Sequence, residues 1–169
     1  MAAVVVSQYS FEWPGAFQAA CDELLNVLSQ GEVEIEHVGS TSVPGLAAKP
    51  VLDILVGAAS LRAVESKIPN LAGAGYEYIH KYELELPNRR YFVKSSGPLR
   101  IHVHAVELGS AFWREQLAFR DMLRSDSALR SAYQKLKLGV AQQFPFDKSA
   151  YQAAKEPFIR SALAAAAVR

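Results

Sequence analysis

Asp53 is the residue with the most to explain. It lies inside "VLDILV" (51–56), where every neighbour is apolar. An ionised carboxylate in such surroundings costs several kcal/mol unless something compensates it. Lys49 or an arginine is one candidate partner, and a hard divalent cation, which prefers oxygen donors, is another. Just upstream stands Gly39-Ser40-Thr41-Ser42. Successive backbone N–H groups in a turn can form an anion-binding nest. A glycine lets a phosphate approach, and the hydroxyls of Ser40, Thr41 and Ser42 add donors. Read in isolation, the same residues make an ordinary strand-to-helix turn. They are not a Walker A loop. Counted from Gly39, that pattern needs a glycine, a lysine and a hydroxyl residue where the chain has Pro44-Gly45-Leu46.

A second group lies in "LRIHVHAVE" (99–107). Strand alternation puts Ile101, Val103 and Ala105 on one face and Arg100, His102 and His104 on the other. Histidines at i and i+2 can aim at one ion or one phosphate, although two such residues also occur simply as surface polarity on a strand. With Asp53 they would form a mixed nitrogen and oxygen set able to accept Mg²⁺ or Mn²⁺, with Zn²⁺ as a further option. Glu107 has the opposite parity. His37, two residues before Gly39, brings three of the four histidines near these elements. Arg89, Arg90 and Lys94, with Arg100, form a basic cluster whose guanidinium forks suit phosphate oxygens. The alternative is a hairpin edge guarded by charge. Lys49 joins Arg90, Lys94 and Arg100 as a candidate phosphate ligand.

The elements that must position these groups follow from periodicity. Pro14 opens a helix in which Phe17, Ala20, Cys21, Leu24, Leu25 and Leu28 share a stripe that ends before Gly31. "EVEIEHV" alternates as a half-buried strand running into Gly39. "VLDILV" is apolar on both faces, as a central strand should be. A helix from Leu61 carries Val64, Ile68 and Leu71, with a break expected at Pro69. "YEYIH" and "RYFVK", then the turn "SSGP" before "LRIHVHAVE", read as β-structure. The rest is helical. Ser110 caps a segment with Phe112, Trp113, Leu117, Phe119 and Leu123. Asp126 or Ser127 caps a second, with Leu129, Tyr133, Leu136 and Val140 inward. Asp147 opens a third, with Tyr151, Ala154, Phe158 and Ala162 inward. A helix, a mixed sheet and a run of helices make an α+β fold.

Composition narrows the function without choosing it. The 169 residues suit one domain, 1–169, able to bury a substantial core. Eighteen Lys+Arg against seventeen Asp+Glu leave a formal charge of +1, with no general pull toward nucleic acid or anionic membrane, so an anion site must be local. The single cysteine, Cys21, excludes an internal disulfide and falls on a helix stripe as core filler. "MAAVVVSQYSF" lacks the basic and apolar regions of a signal peptide, and "SALAAAAVR" is too short to span a bilayer. The expected compartment is the cytoplasm.

Taken together, "IEHVGSTSVPGLAAKPVLDILV", "RRYFVK", "RIHVHAVE", "W…LAFRDMLR", "YQKLK" and "Y…K.PFI" resemble the GrpB family of small bacterial proteins, also seen fused to dephospho-CoA kinase. The resemblance runs from about residue 9 to residue 160. It implies the nucleotidyltransferase superfold shared with DNA polymerase β, a mixed sheet flanked by helices with a C-terminal helical segment. On that resemblance Gly39 and Ser40 would hold a triphosphate and Asp53 would bind the divalent metal. The chain departs from the superfold's pattern of several carboxylates: Leu55 occupies the second position, and His102 and His104 stand where a later acid is expected. Two functions therefore compete. One is metal-dependent transfer of a nucleotidyl group from an NTP to a small acceptor, with Asp53 at its centre. The other is a non-catalytic domain on the same fold that binds a nucleotide or phosphorylated metabolite.

Overall fold

The computed structural model describes residues 2–167. Helix α1 (Trp13–Leu28) carries Pro14 in its first turn and buries Ala20, Cys21, Leu24 and Leu28, the expected stripe. Five strands follow: β1 (Val33–Val38), β2 (Val51–Ala58), β3 (Glu77–Tyr78), β4 (Arg89–Lys94) and β5 (Arg100–Glu107). They form one mixed sheet in the order β1-β2-β5-β4-β3. Only β2 and β5 run parallel; the other pairs are antiparallel. With neighbours on both sides, β2 buries Leu52, Ile54, Leu55 and Val56 almost completely, which is why its sequence is apolar on both faces.

The remaining helices are α2 (Leu61–Glu65), α3 (Ile68–Gly73), α4 (Ala111–Ser125), α5 (Ser127–Gln143) and α6 (Lys148–Ala167). The break expected at Pro69 falls earlier, between α2 and α3, and Pro69 occupies the first turn of α3, where its missing N–H has no partner to lose. The expected strand "YEYIH" shortens to two residues because His80–Tyr82 coils into a single 3₁₀ turn. The three C-terminal caps are as expected. Ser110 accepts from the Trp113 N–H, Asp126 from Leu129 and Asp147 from Ala150.

The sheet has two unlike faces. Leu52, Ile54, Val56, Ile101, Val103 and Phe92 face α1–α3 and form the main core. The other face carries Asp53, Leu55, Arg100, His102 and His104, and α4 covers only part of it, packing Trp113 on Val38, Leu55 and Val106. Gly57 makes that docking possible, since a Cβ there would lie 2.7 Å from the Trp113 ring. Val43 and Leu46, between the turn and β2, are fully buried against Leu123 and Tyr133 of α4 and α5. The C-terminal helices thus clamp the segment that connects the turn to Asp53. No helix among the described residues is long and apolar enough to cross a membrane.

Candidate functional site

The turn and the carboxylate occupy one place. Val38, the last residue of β1, pairs with Asp53, so Gly39 leaves the sheet directly over the acid. Gly39 has φ 72, and a Cβ on it would lie 2.5 Å from Asp53 Oδ2. Both the backbone and the space therefore demand glycine. Ser40–Ser42 then form a 3₁₀ turn. The Ser42 hydroxyl donates to the Gly39 carbonyl at 2.5 Å, and the Thr41 hydroxyl pairs with His37 Nε2 at 2.9 Å. Thr41 and Ser42 are buried and shape the turn from within. Ser40 stands at the front, its hydroxyl beside the phenol of Tyr133.

Asp53 pairs across the sheet with His102, and Leu55 with His104. His104 Nε2 lies 3.2 Å from Asp53 Oδ1, and His102 Nδ1 lies 3.8 Å from the same oxygen. Two arginines define which ring nitrogens carry hydrogen. Arg89 Nη1 meets His104 Nδ1 at 3.1 Å, and Arg100 Nε donates to His102 Nε2 at 3.0 Å. Arginine only donates, so those ring nitrogens are acceptors and the opposite ones, facing Asp53, hold the hydrogens. Burial pushes His102 down to about 4, with help from His104, Arg100 and Lys49 and against the pull of Asp53. At neutral pH it is an uncharged donor. Burial would raise the pKa of Asp53, but the hydrogen bond from His104, with the fields of both histidines and of Lys155, holds it below the ordinary value.

This arrangement bears on the expected metal set. Asp53, His102 and His104 do come together, yet both rings turn N–H groups toward Asp53, and a metal needs a bare nitrogen. Among the described residues no group of three or more His, Cys, Asp or Glu side chains is arranged to hold a metal ion. As donors, the histidines orient Asp53 in the manner of outer-shell partners. What fits this donor set is a hard cation such as Mg²⁺ or Mn²⁺, which takes one or two carboxylates and completes its shell with phosphate and water; a nitrogen-rich zinc site does not fit.

Reading the sequence missed two lysines. Lys137 of α5 is 1% exposed and Lys155 of α6 is 8% exposed. Lys137 donates to the Ala47 carbonyl. Lys155 stands 4.4 Å from the Tyr151 ring centre, and Lys49 approaches the same ring at 5.1 Å. Among the described residues, none of the three has a carboxylate within ion-pair distance. Burial, reinforced by Lys155 and Lys49, drives Lys137 down to about 7. Burial and Lys49 bring Lys155 to about 8, opposed by Asp53. Each ammonium disfavours the charged form of its neighbours. A signal was present: "YQKLK" (133–137) and "YQAAK" (151–155) repeat Tyr-Gln-x-x-Lys, putting each lysine one helical turn past an inward tyrosine.

Two expected site residues lie elsewhere. Arg90 and Lys94 sit on the opposite face of β4 from Tyr91 and project toward α2 and α1. Arg90 pairs with Glu65 at 2.8 Å and Lys94 with Glu23 at 2.7 Å. Both are ion-paired and face away from Asp53. His37 also points away, stacked on Phe17 at 4.7 Å. Arg100 does lie on the Asp53 face, with its Nη1 on Ser95 at 3.1 Å. Arg89, adjacent to Arg90, is the residue that reaches the site.

Comparison with known proteins agrees with this architecture. The family model described as GrpB protein matches residues 3–165. The UPF0157 protein SCO7215 of Streptomyces coelicolor is 37% identical over 154 residues, covering 91% of this chain and 79% of its own. The crystal structure of the conserved protein GrpB from Enterococcus faecalis superimposes with TM-score 0.82 at 34% identity, covering 93% of each chain. The Cid1 poly(U) polymerase with Mg 3′-dATP bound superimposes with TM-score 0.59 at 14% identity, over 88% of this chain and 49% of Cid1. That last likeness is one of fold, and the fold is nucleotidyltransferase-like.

Proposed function

The chain belongs to the GrpB family, and on that footing we propose that the Asp53 cleft binds the phosphates of a nucleoside triphosphate and transfers its nucleotidyl group to a small acceptor. The observation that carries this reading is the convergence of Lys49, Lys137 and Lys155, without carboxylate partners, beside an ionised aspartate on a nucleotidyltransferase-like sheet. Three lysines face one carboxylate, and burial holds two of them partly deprotonated, so an entering anion would be met by groups ready to take up protons.

In this reading the backbone N–H groups of the turn at Gly39 and Ser40 receive the phosphate tail, and the lysines neutralise it. His102 and His104 keep Asp53 ionised and fixed in direction. Asp53 would hold Mg²⁺ or Mn²⁺ arriving with the nucleotide, which when bound supplies charge neutralisation at the reacting phosphoryl group. Lys137 and Lys155 take up protons as the anion enters, so the charge is supplied where it is needed. A formal charge of +1 offers no extended basic track for a polynucleotide, which supports a small acceptor.

One observation favours a second reading. Leu55, in the position of a second carboxylate, is fully buried under Trp113. A domain with a single acid could bind a nucleotide or phosphometabolite without transforming it. Calorimetric titration with a non-hydrolysable NTP, with and without Mg²⁺, tests the shared premise: binding should be tight and lose its Mg²⁺ dependence in Asp53→Asn. Unchanged metal-dependent binding in that variant would sink both readings. Pyrophosphate release with a panel of small hydroxyl acceptors then separates transfer from binding alone.

A further inference from the structure

Behind the Gly39–Ser42 turn, on the side away from Asp53, a concavity of about 320 Å³ opens between α1 and α4. We propose that it is a second ligand site, taking a small molecule that joins one anionic group to a flat apolar body.

The body is dictated by the walls. Tyr9, Pro14 and Phe17 line one side, and the His37 ring stacks face to face on Phe17 with the two planes 9° from parallel, so the pair makes a rigid aromatic wall. Burial, with the fields of Arg124 and Arg120 and against that of Asp53, pushes His37 down to about 4, so at neutral pH the ring is an uncharged aromatic platform. The volume lies at the small end of ligand pockets and suits a single substituted ring.

The anionic group is dictated by the rim. Arg120 and Arg124 project from successive turns of α4. Arg120 is fully engaged, by Glu36 at 2.5 Å, Asp121 at 2.9 Å and the His37 carbonyl at 3.1 Å. Arg124 is not. Its Nε donates to the Ser42 carbonyl at 2.9 Å, and among the described residues no carboxylate lies within ion-pair distance of it. Its terminal guanidinium edge is left for a carboxylate or phosphate.

The turn backbone stands between this pocket and Asp53, so a molecule seated here does not reach the Asp53 carboxylate. It does touch the machinery, because Arg124 holds the carbonyl of Ser42, the last residue of the turn. A ligand that draws on Arg124 shifts the turn, and by linkage phosphate binding on the far side shifts affinity here.

The test uses benzoate and phenyl phosphate as probes, with benzyl alcohol as the uncharged control, followed by ¹H–¹⁵N NMR. Both anions should saturate at millimolar concentration with shifts centred on Thr41 and Arg120, and benzyl alcohol should bind roughly ten-fold more weakly or worse. Arg124→Gln should weaken the anions by a similar factor. Gln18→Trp, at an exposed position on the pocket mouth, should block them while leaving the fold intact. Lys155→Met should leave them unchanged. No saturation, indifference to both Arg124→Gln and Gln18→Trp, or loss of binding in Lys155→Met would each overturn the proposal.

Discussion

Arg90 and Lys94 on one side of the sheet, and Lys137 and Lys155 on the other, are all basic residues of ordered elements, with opposite circumstances. The first pair projects toward the main core's helices, and each member has a carboxylate at salt-bridge distance. The second pair is more deeply buried and has none. A positive charge marks an anion site only where the protein has declined to neutralise it. That is a property of the three-dimensional neighbourhood, and counting basic residues along a strand does not reveal it.

The contrast can be broken at several points. The largest effect should come from Lys137→Met and Lys155→Met, each lowering NTP affinity by about 10- to 100-fold, the worth of a charge-assisted contact. Calorimetric titration reads this directly, and an unchanged affinity would remove the lysines from the site. Next is pH. The free lysines lose their protons near 7 and 8, so affinity should be nearly level below that range and fall by at least about ten-fold between pH 7.5 and pH 9. A flat profile would mean that the ammonium groups do not meet the phosphate.

A third effect concerns stability and has the opposite sign. Lys137 has a folded pKa of about 7 against an ordinary 10.5. Through that window the unfolded chain binds the proton that the native state has lost, so stability rises with pH from about 7 to 10.5. Lys137→Met should abolish this contribution and, near pH 7, stabilise the protein by about 1–2 kcal/mol, as replacement of a buried charge by an apolar side chain often does. Chemical denaturation at two pH values checks both. The smallest effects belong to the other pair. Arg90→Ala and Lys94→Ala should change NTP affinity less than about two-fold and cost at most about 1 kcal/mol of stability, as partly exposed ion pairs do.

How far the site was legible depended on which physical rule was in force. Parity within β5 gave Arg100, His102 and His104 a common face because a strand has a period of two and both flanks alternated cleanly. The central-strand setting of Asp53 was legible from the apolar run around it, although its side chain is only half-buried. Parity within β4 separates Arg89 from Arg90 and Lys94, but which set meets Asp53 depends on register and on which side the helices pack, and both are tertiary facts. His37 was misleading for the same reason, one residue out of step with Val38. Lys137 and Lys155 were hidden because they interrupt apolar helix stripes as long side chains whose stems pack like hydrophobes; only the repeated Tyr-Gln-x-x-Lys spacing betrays them. Leu55 was visible as a departure from the expected carboxylate, and its role as the seat of Trp113 came only with α4 in place.

The contact between Gly39 and Asp53 has a consequence for variation. Because a Cβ at residue 39 would lie 2.5 Å from the aspartate oxygen and 2.9 Å from its Cβ, the two positions draw on a single volume and their substitutions must show epistasis. In a saturation library, changes at 39 would survive only where residue 53 has already retreated. The glycine turn and the acid are then inherited as one unit, although the chain writes them in separate places.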